Sequence, residues 1–177
     1  MIGVASAVAL LLSIGLLCAR RIETAIQLCT LQALFAATTL GEAATAIAVL
    51  AFLLNGIVLP LAIARMNNAT LLTLRGNAIL SWAMTLALLV VTGLIFAKVG
   101  ADGLVAAGVS VALLGPLLIV LRSHPLAPAL GLLSSQNGLV MLAGAQSELP
   151  LPTALAVALP LVPALMLAVI WLRRCSA

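Results

Sequence analysis

Long apolar runs, separated by single charges and short polar stretches, dominate this sequence. If the chain is cut at its charged and turn residues, seven apolar runs remain, at about residues 2–19, 24–40, 43–64, 77–97, 103–121, 126–147 and 151–172. A helix needs about 20 apolar residues to cross a membrane. Most of the runs are near that length, and the second is at its lower limit. Because hydrocarbon offers the backbone no water, and because the runs are too continuous for barrel strands, they predict an all-α integral membrane protein with seven transmembrane helices.

The composition indicates the same class of protein. Apolar residues make up 65% of the chain and charged residues 7%, against roughly 45–50% and about 25% in soluble domains. Seven spans use almost the whole length, so no extramembrane domain is expected. Residues 1–17 lack the positively charged n-region of a signal peptide, so we expect them to be a retained first span. The basic residues stand singly between runs and do not form the patch of a nucleic-acid-binding protein.

The positions of the charges predict an orientation. If the chain crosses at every run, all arginines fall in the connections after spans one, three, five and seven, on one side of the membrane. The positive-inside rule makes that side cytoplasmic, which puts the N-terminus outside and the C-terminus in the cytoplasm. The longest connection, 65–76, divides a three-helix segment at 1–76 from a four-helix segment at 77–177. The topology arginines are Arg20, Arg21, Arg65, Arg75, Arg122, Arg173 and Arg174.

Residues that could carry chemistry are scarce. Ionisable side chains within a span are the usual sign of function in a membrane protein, because they are costly to bury there. Here all of them fall at predicted span ends or in connections. The chain has a single histidine, three cysteines without metal-ligand spacing, and no glycine-rich phosphate loop. The sequence therefore predicts no catalytic, cofactor-binding or metal site, and a protein that is not an enzyme by itself.

Neutral polar residues remain inside the spans, and the sixth span is the most distinctive. Its small residues fall on roughly one face, with an asparagine close beside them, a pattern that lets a second helix approach closely. That helix could belong to this chain or to a partner. The polar groups could join helices by hydrogen bonds, or could hold water in a pathway shared with a neighbouring subunit. The candidate polar and packing residues are Asn55, Gly131, Ser134, Gln136, Asn137 and Gly138.

The order of these segments resembles the membrane subunit called hydrogenase-4 component E, whose last three helices are similar to those of complex I subunit K. The resemblance rests on "LIVLRSHPLAPALGLLSSQNGLVMLAGAQ", with one arginine at a helix exit and a polar-Asn-Gly step, then "ELPLP" and a last helix ending in "WLRR". The stretches "RRIETAIQLCTLQALFAATTL" and "AFLLNGIVLPLAIA" are similar to the second and third spans of the family more loosely.

The resemblance implies a multi-pass subunit of a complex I-like assembly in the bacterial cytoplasmic (inner) membrane, such as a group 4 hydrogenase or formate hydrogenlyase. Such assemblies join electron transport in a soluble arm to proton translocation in a membrane arm. The implied partners are antiporter-like and redox-side membrane subunits, together with lipid. The resemblance implies no cofactor in this chain and no nucleic acid.

The chain departs from this family where the family carries charge. Gln136 stands in place of a carboxylate before Asn-Gly, and Asn55 stands in place of a lysine before the proline of span three. In the last helix, Thr153 and approximately Leu159 replace acidic residues. A neutral amide hydrogen-bonds water but does not store a proton at accessible pH. The departures imply a divergent member, non-catalytic and mainly structural, that bridges larger subunits.

Two other functions stay open. Prolines in or near spans predict kinks, and broken helices mark substrate sites in transporters. A stand-alone transporter or channel for a small solute would use Pro160, Pro163, Gln136 and Asn137. An orphan membrane enzyme is the weakest alternative, because the sequence offers no buried acid, histidine or metal cluster. Kinks are expected at Pro60, Pro116, Pro160 and Pro163.

Overall fold

The computed structural model describes residues 2–40, 45–66, 78–99, 102–122 and 126–145 of the chain. Almost all of these residues are helical, and no β-strand occurs within these ranges. The all-helical prediction is therefore confirmed for this part of the chain. The helices are α1 (Ile2–Cys18), α2 (Ile22–Thr38), α3 (Thr45–Phe52), α4 (Leu59–Met66), α5 (Ala78–Val99), α6 (Gly103–Leu121) and α7 (Ala127–Ala145), with a π-helical turn at Leu53–Val58 between α3 and α4.

Each helix coincides with one predicted apolar run, and α3, the π-helical turn and α4 together form the third. Among the described residues, Ala48–Arg65 and Gly103–Leu121 are long and apolar enough to cross a membrane, and Val4–Cys18 and Trp82–Ile95 are shorter apolar helices. The seventh run at 151–172 lies outside the described residues, as do Arg75, Arg173 and Arg174. The seven crossings and the orientation stay predictions.

Helices from the two predicted segments, 1–76 and 77–177, pack together in one bundle. α6 and α7 form the most extensive pair, α1 packs against α2 and α6, and α2 packs against α7. α5 lies at the edge, in contact mainly with α6 and α1. Much of its apolar surface therefore stays uncovered by this part of the chain, including Ile79, Trp82, Leu86, Val90 and Leu94.

Glycines allow α6 and α7 to approach until backbone meets backbone. A Cβ added to Gly138 would lie 2.7 Å from both the Cα of Ala112 and the carbonyl oxygen of Gly108. A Cβ added to Gly131 would lie 2.5 Å from the carbonyl oxygen of Gly115. No real side chain tolerates such distances, so these positions require glycine. The close neighbour predicted for span six is therefore a helix of this chain, α6.

The same helix pair accommodates a proline inside α6. Pro116 has no N–H, so the carbonyl of Ala112 loses its usual helical donor. The hydroxyl of Ser135 in α7 donates a hydrogen bond to this carbonyl over 3.0 Å. α6 runs as one α-helix from Gly103 to Leu121, because a neighbouring side chain replaces the missing bond.

A different adjustment precedes Pro60. The N–H of Leu59 donates to the carbonyl of Leu54, five residues earlier, which is the π-helical pattern. A proline ring clashes with the carbonyl four residues before it, and the wider turn at Leu53–Val58 ends just ahead of Pro60. A kink is expected at Pro60, and the structure has a π-helical turn just before it, which is one of the usual causes of a kink.

The charged side chains that the structure describes lie at helix ends. The buried guanidinium of Arg122, just after α6, donates a hydrogen bond to the carbonyl of Leu17 near the end of α1. Burial lowers the pKa of the Arg122 guanidinium from its ordinary value, and the neighbouring charge of Arg20 acts in the same direction. Two of the topology arginines therefore share one end of the bundle. At the other end, Gly144 of α7 lies against the backbone of Thr39, just after α2.

Candidate functional site

Two apolar clusters fill the interior of the bundle, one toward each end. The first apolar cluster lies at the end that holds Arg122 and draws on the C-terminal parts of α1 and α6 and the N-terminal parts of α2 and α7. Its members include Leu16, Leu17, Ile22, Leu59, Ile63, Leu118 and Leu130. The second apolar cluster draws on the opposite parts of the same helices. Its members include Ala9, Ala36, Ala51, Val111, Val140 and Met141.

A layer of neutral polar side chains lies between the two apolar clusters. Four helices contribute to this layer: α1, α2, α7 and the helix formed by α3 and α4. In each of them, one or more polar residues stand between a residue of the first cluster and a residue of the second. All of the side chains are buried. We call this set the polar layer, and its members are Ser13, Gln32, Asn55, Ser134, Gln136 and Asn137.

Gln32 is the centre of a hydrogen-bond network within the polar layer. Its Nε2 donates to the hydroxyl of Ser13 over 2.6 Å and to the hydroxyl of Ser134 over 3.1 Å. Its Oε1 accepts from Nδ2 of Asn137 over 3.2 Å. The hydroxyl of Ser13 in turn donates to the carbonyl of Ala9. The network of Gln32, Ser13, Ser134 and Asn137 therefore ties α1, α2 and α7 together, and we call it the Gln32 network.

The other two amides of the polar layer have no such bonds. Asn55 is 1% exposed and Gln136 is 3% exposed, and neither side chain has a hydrogen-bond partner among the described residues. A buried polar group left without a partner costs about 1–3 kcal/mol. Such groups in a native structure call for an explanation. We refer to Asn55 and Gln136 as the unpartnered amides.

The π-helical turn also alters the backbone at Asn55. In an α-helix, the carbonyl of Asn55 would accept from the N–H of Leu59, but that N–H donates to Leu54 instead. In a continued π-helix, the donor would be Pro60, which has no N–H. The carbonyl of Asn55 therefore lacks both helical donors, and it belongs to the same residue as an unpartnered side chain. π-helical turns are frequent at functional sites.

The structure divides the sequence-predicted site residues into three groups. Gly131 and Gly138 pack against the backbone of α6. Ser134 and Asn137 belong to the Gln32 network. Asn55 and Gln136 are the unpartnered amides.

Sequence reasoning missed the central member of the network. Gln32 was one of several polar residues in the second span, and the nearby Gln27 is exposed. A signal was present, since Gln32 and Asn55 lie at similar distances along their helices from Arg21 and Arg65. Residues at similar depth in neighbouring helices can meet.

The chemistry of the polar layer is neutral. It offers hydroxyl and amide groups, which donate and accept hydrogen bonds but do not change charge at accessible pH. Within the described ranges, no group of three or more His, Cys, Asp or Glu residues could hold a metal ion. The site can therefore orient helices and bind small hydrogen-bonding molecules, and it has no nucleophile activated by a neighbouring base.

Comparison with known proteins gives no relative. No protein-family model matches the chain, and no curated protein or solved structure matches it either. The polar layer and the sequence resemblance are therefore the grounds on which a function is proposed.

Proposed function

We propose that this chain is a non-catalytic subunit of the membrane arm of a complex I-like or group 4 hydrogenase-like oxidoreductase. It would lie in the bacterial cytoplasmic membrane, cross it seven times, and bridge antiporter-like and redox-side membrane subunits. Its N-terminus would be outside and its C-terminus in the cytoplasm, as the arginines predict. Its own contribution would be mainly structural.

One observation carries the proposal. The resemblance aligns Asn55 with a lysine and Gln136 with a carboxylate of the hydrogenase-4 component E family. These two residues are also the unpartnered amides of the polar layer. An amide keeps the capacity to hydrogen-bond without the charge, so buried amides that lack a partner among the described residues at both positions fit the replacement of charged groups. The coincidence supports descent from a charged ancestor.

The surface of the bundle fits a subunit enclosed by lipid and by other membrane subunits. α5 exposes large apolar side chains along its length, and a patch of this kind marks a protein or membrane contact. Apart from the buried Arg122, the charged residues of the described ranges are exposed at helix ends, where water or lipid head groups can reach them. Proton translocation and electron transport would belong to the neighbouring subunits.

A fusion of green fluorescent protein to the C-terminus tests both the topology and the assembly. The fusion partner fluoresces when it folds in the cytoplasm and stays dark when secreted unfolded across the membrane, so fluorescent cells are expected. After solubilisation in mild detergent, mass spectrometry of the purified fusion is expected to identify antiporter-like and redox-side membrane subunits. An unrelated multi-pass protein with the same tag controls for adventitious binding. A fusion that purifies alone, or that is dark although inserted, would contradict the proposal.

A stand-alone transporter or channel is the second candidate. The π-helical turn that contains Asn55 favours it, since irregular helices near the middle of a bundle form substrate sites in transporters. Pro160 and Pro163, which this alternative also uses, lie outside the described residues. It requires flux of a small neutral solute into liposomes that contain only this protein, and loss of that flux in Gln136→Leu. If liposomes that contain the protein are no more permeable than protein-free ones, the transporter or channel alternative is excluded.

A further inference from the structure

We propose that the polar layer contains an internal water site, formed by the side chains of Asn55 and Gln136 and by the carbonyl of Asn55. This inference does not depend on the proposed function, because it rests on hydrogen bonding within the chain. The ligand is water itself, held as a structural component of the bundle.

The first argument is hydrogen-bond satisfaction. Both amides are buried and have no partner within the described part of the chain, whereas the other two amides of the polar layer, Gln32 and Asn137, are hydrogen-bonded to each other. Each amide presents two donors and an acceptor oxygen. The carbonyl of Asn55 adds an acceptor without its helical donors. Buried water typically makes two to four hydrogen bonds to groups of this kind.

The second argument is position. Asn55 lies between Ala51 of the second apolar cluster and Leu59 of the first, and Gln136 lies between Val140 and Leu133 of the same two clusters. Both residues are therefore at the level of the polar layer. The π-helical turn that carries Asn55 packs against α2 and α7, the helices of Gln32 and Gln136.

The third argument concerns the kind of ligand. A cation would satisfy the amide and carbonyl oxygens but would leave the amide N–H groups unpaired, and an anion would do the reverse. Water both donates and accepts, so it can bond both the N–H groups and the oxygens of this mixed set. The polar layer also has no charged side chain that could balance an ion in an apolar interior. A neutral hydrogen-bonding molecule as small as water fits these conditions.

Thermal melting of variants distinguishes a hydrated site from a dry one. Gln136→Met and Asn55→Leu keep the approximate size of each side chain and remove its polar atoms. At a dry site, each change removes an unsatisfied group and should raise the melting temperature or leave it unchanged. At a hydrated site, each change takes a partner from the water, so we expect the melting temperature to fall by roughly 2–4 °C. Gln27→Met, at an exposed position, is the matched control and should have little effect.

The double variant tests whether both amides share the site. If they do, its melting temperature should fall by less than the sum of the two single effects, because the second change acts on a site already lost. Single variants that are as stable as the parent, or effects that simply add, would overturn the proposal.

X-ray footprinting separates water from a direct bond between the two amides, which would also give non-additive melting. A short X-ray pulse converts bound water to hydroxyl radicals, which oxidise the nearest side chains before they diffuse. Oxidation is expected at Leu133 and Val140, which are 0% and 2% exposed and flank Gln136 by one turn on either side. It should disappear in the double variant. Ile63, 0% exposed and two turns from Asn55, serves as the control. Non-additive melting without oxidation at these two residues would contradict the water site.

Discussion

Gln136 and Asn137 are neighbours on α7, both amides and both buried, yet their surroundings differ completely. Asn137 donates to Gln32 and belongs to a network that joins three helices. Gln136 has no partner in the described part of the chain. Successive residues of a helix point about 100° apart, so one step along α7 separates the two. The presence of an amide in an apolar helix therefore does not by itself predict a bond between helices, since the direction of the side chain decides.

The positions of Gln136 and Asn137 both depend on the packing of α7, and Gly138→Leu should disturb that packing. The new side chain would meet the backbone of Ala112 and Gly108, which cannot move as a flexible side chain can. Overpacking costs about 1–3 kcal/mol where side chains give way, and here we expect the upper end or more. The expected result is loss of monodisperse protein on size exclusion in detergent.

Gly93→Leu in α5 is the matched control, because a Cβ at Gly93 has nothing within 4 Å. It should leave the elution profile unchanged. A well-behaved Gly138→Leu protein would show that α7 can shift without loss of the fold, and the contrast between Gln136 and Asn137 would then not depend on a fixed helix.

Gln32→Met should have the next largest effect. It removes three interhelical hydrogen bonds and leaves Ser134 and Asn137 without their partner. Interhelical hydrogen bonds in membranes average about 0.6 kcal/mol and reach about 1.7 kcal/mol, so we expect a loss of about 1–2 kcal/mol in the free energy of unfolding. Chemical denaturation in mixed micelles measures it.

Gln27→Met again provides the comparison for Gln32→Met, since it lies on the same helix and is exposed. Equal stability of the two variants would mean that the Gln32 network contributes nothing to the bundle. The hydrogen bonds of the bonded amides would then make no measurable contribution to the free energy of unfolding.

Thr92→Val should change the free energy of unfolding least. Its effect gives the stabilisation from one interhelical hydrogen bond, against which the other variants can be compared. It removes the Thr92 hydroxyl as an acceptor across α5 and α6, and the single hydroxyl hydrogen of Ser110 still has the carbonyl of Ala106 as an acceptor. The expected loss is about 0.6 kcal/mol in the same denaturation experiment. Thr38→Val controls for the change of side chain, because the exposed hydroxyl of Thr38 bonds to the carbonyl of Phe35 in its own helix. If Thr92→Val lowers the free energy of unfolding as much as Gln32→Met does, the Gln32 network stabilises the bundle no more than a single interhelical hydrogen bond.

The sequence was a good guide to the positions of the helices and a poor guide to their partners. Each described helix falls on an apolar run, and α6 coincides with the predicted 103–121. The inward face of a helix is harder to predict, because both the interior and the exposed surface of this bundle are apolar. Leu113 is exposed and Leu114 is buried, and nothing in their chemistry separates them. Only the small and polar residues carried this information, which is why Gly138 and Asn137 were found.

The π-helical turn could not have been predicted from Pro60 alone. Pro116 is also inside a helix, and there a hydroxyl from α7 replaces the missing bond and the segment stays α-helical. The difference depends on which side chain a neighbouring helix offers to the freed carbonyl. That is a property of the packed bundle and not of the local sequence.

The two apolar clusters would form a barrier to ions. An ion that travelled along the interior of the bundle would have to pass both clusters, and its transfer from water to such surroundings costs several kcal/mol even after relaxation. A membrane potential of about 100 mV supplies only about 2.3 kcal/mol per charge. In the proposed setting, the described part of the chain would act as an insulator. Water in the polar layer would be sealed from both faces, and a protein complex that conducts protons elsewhere needs regions that do not leak.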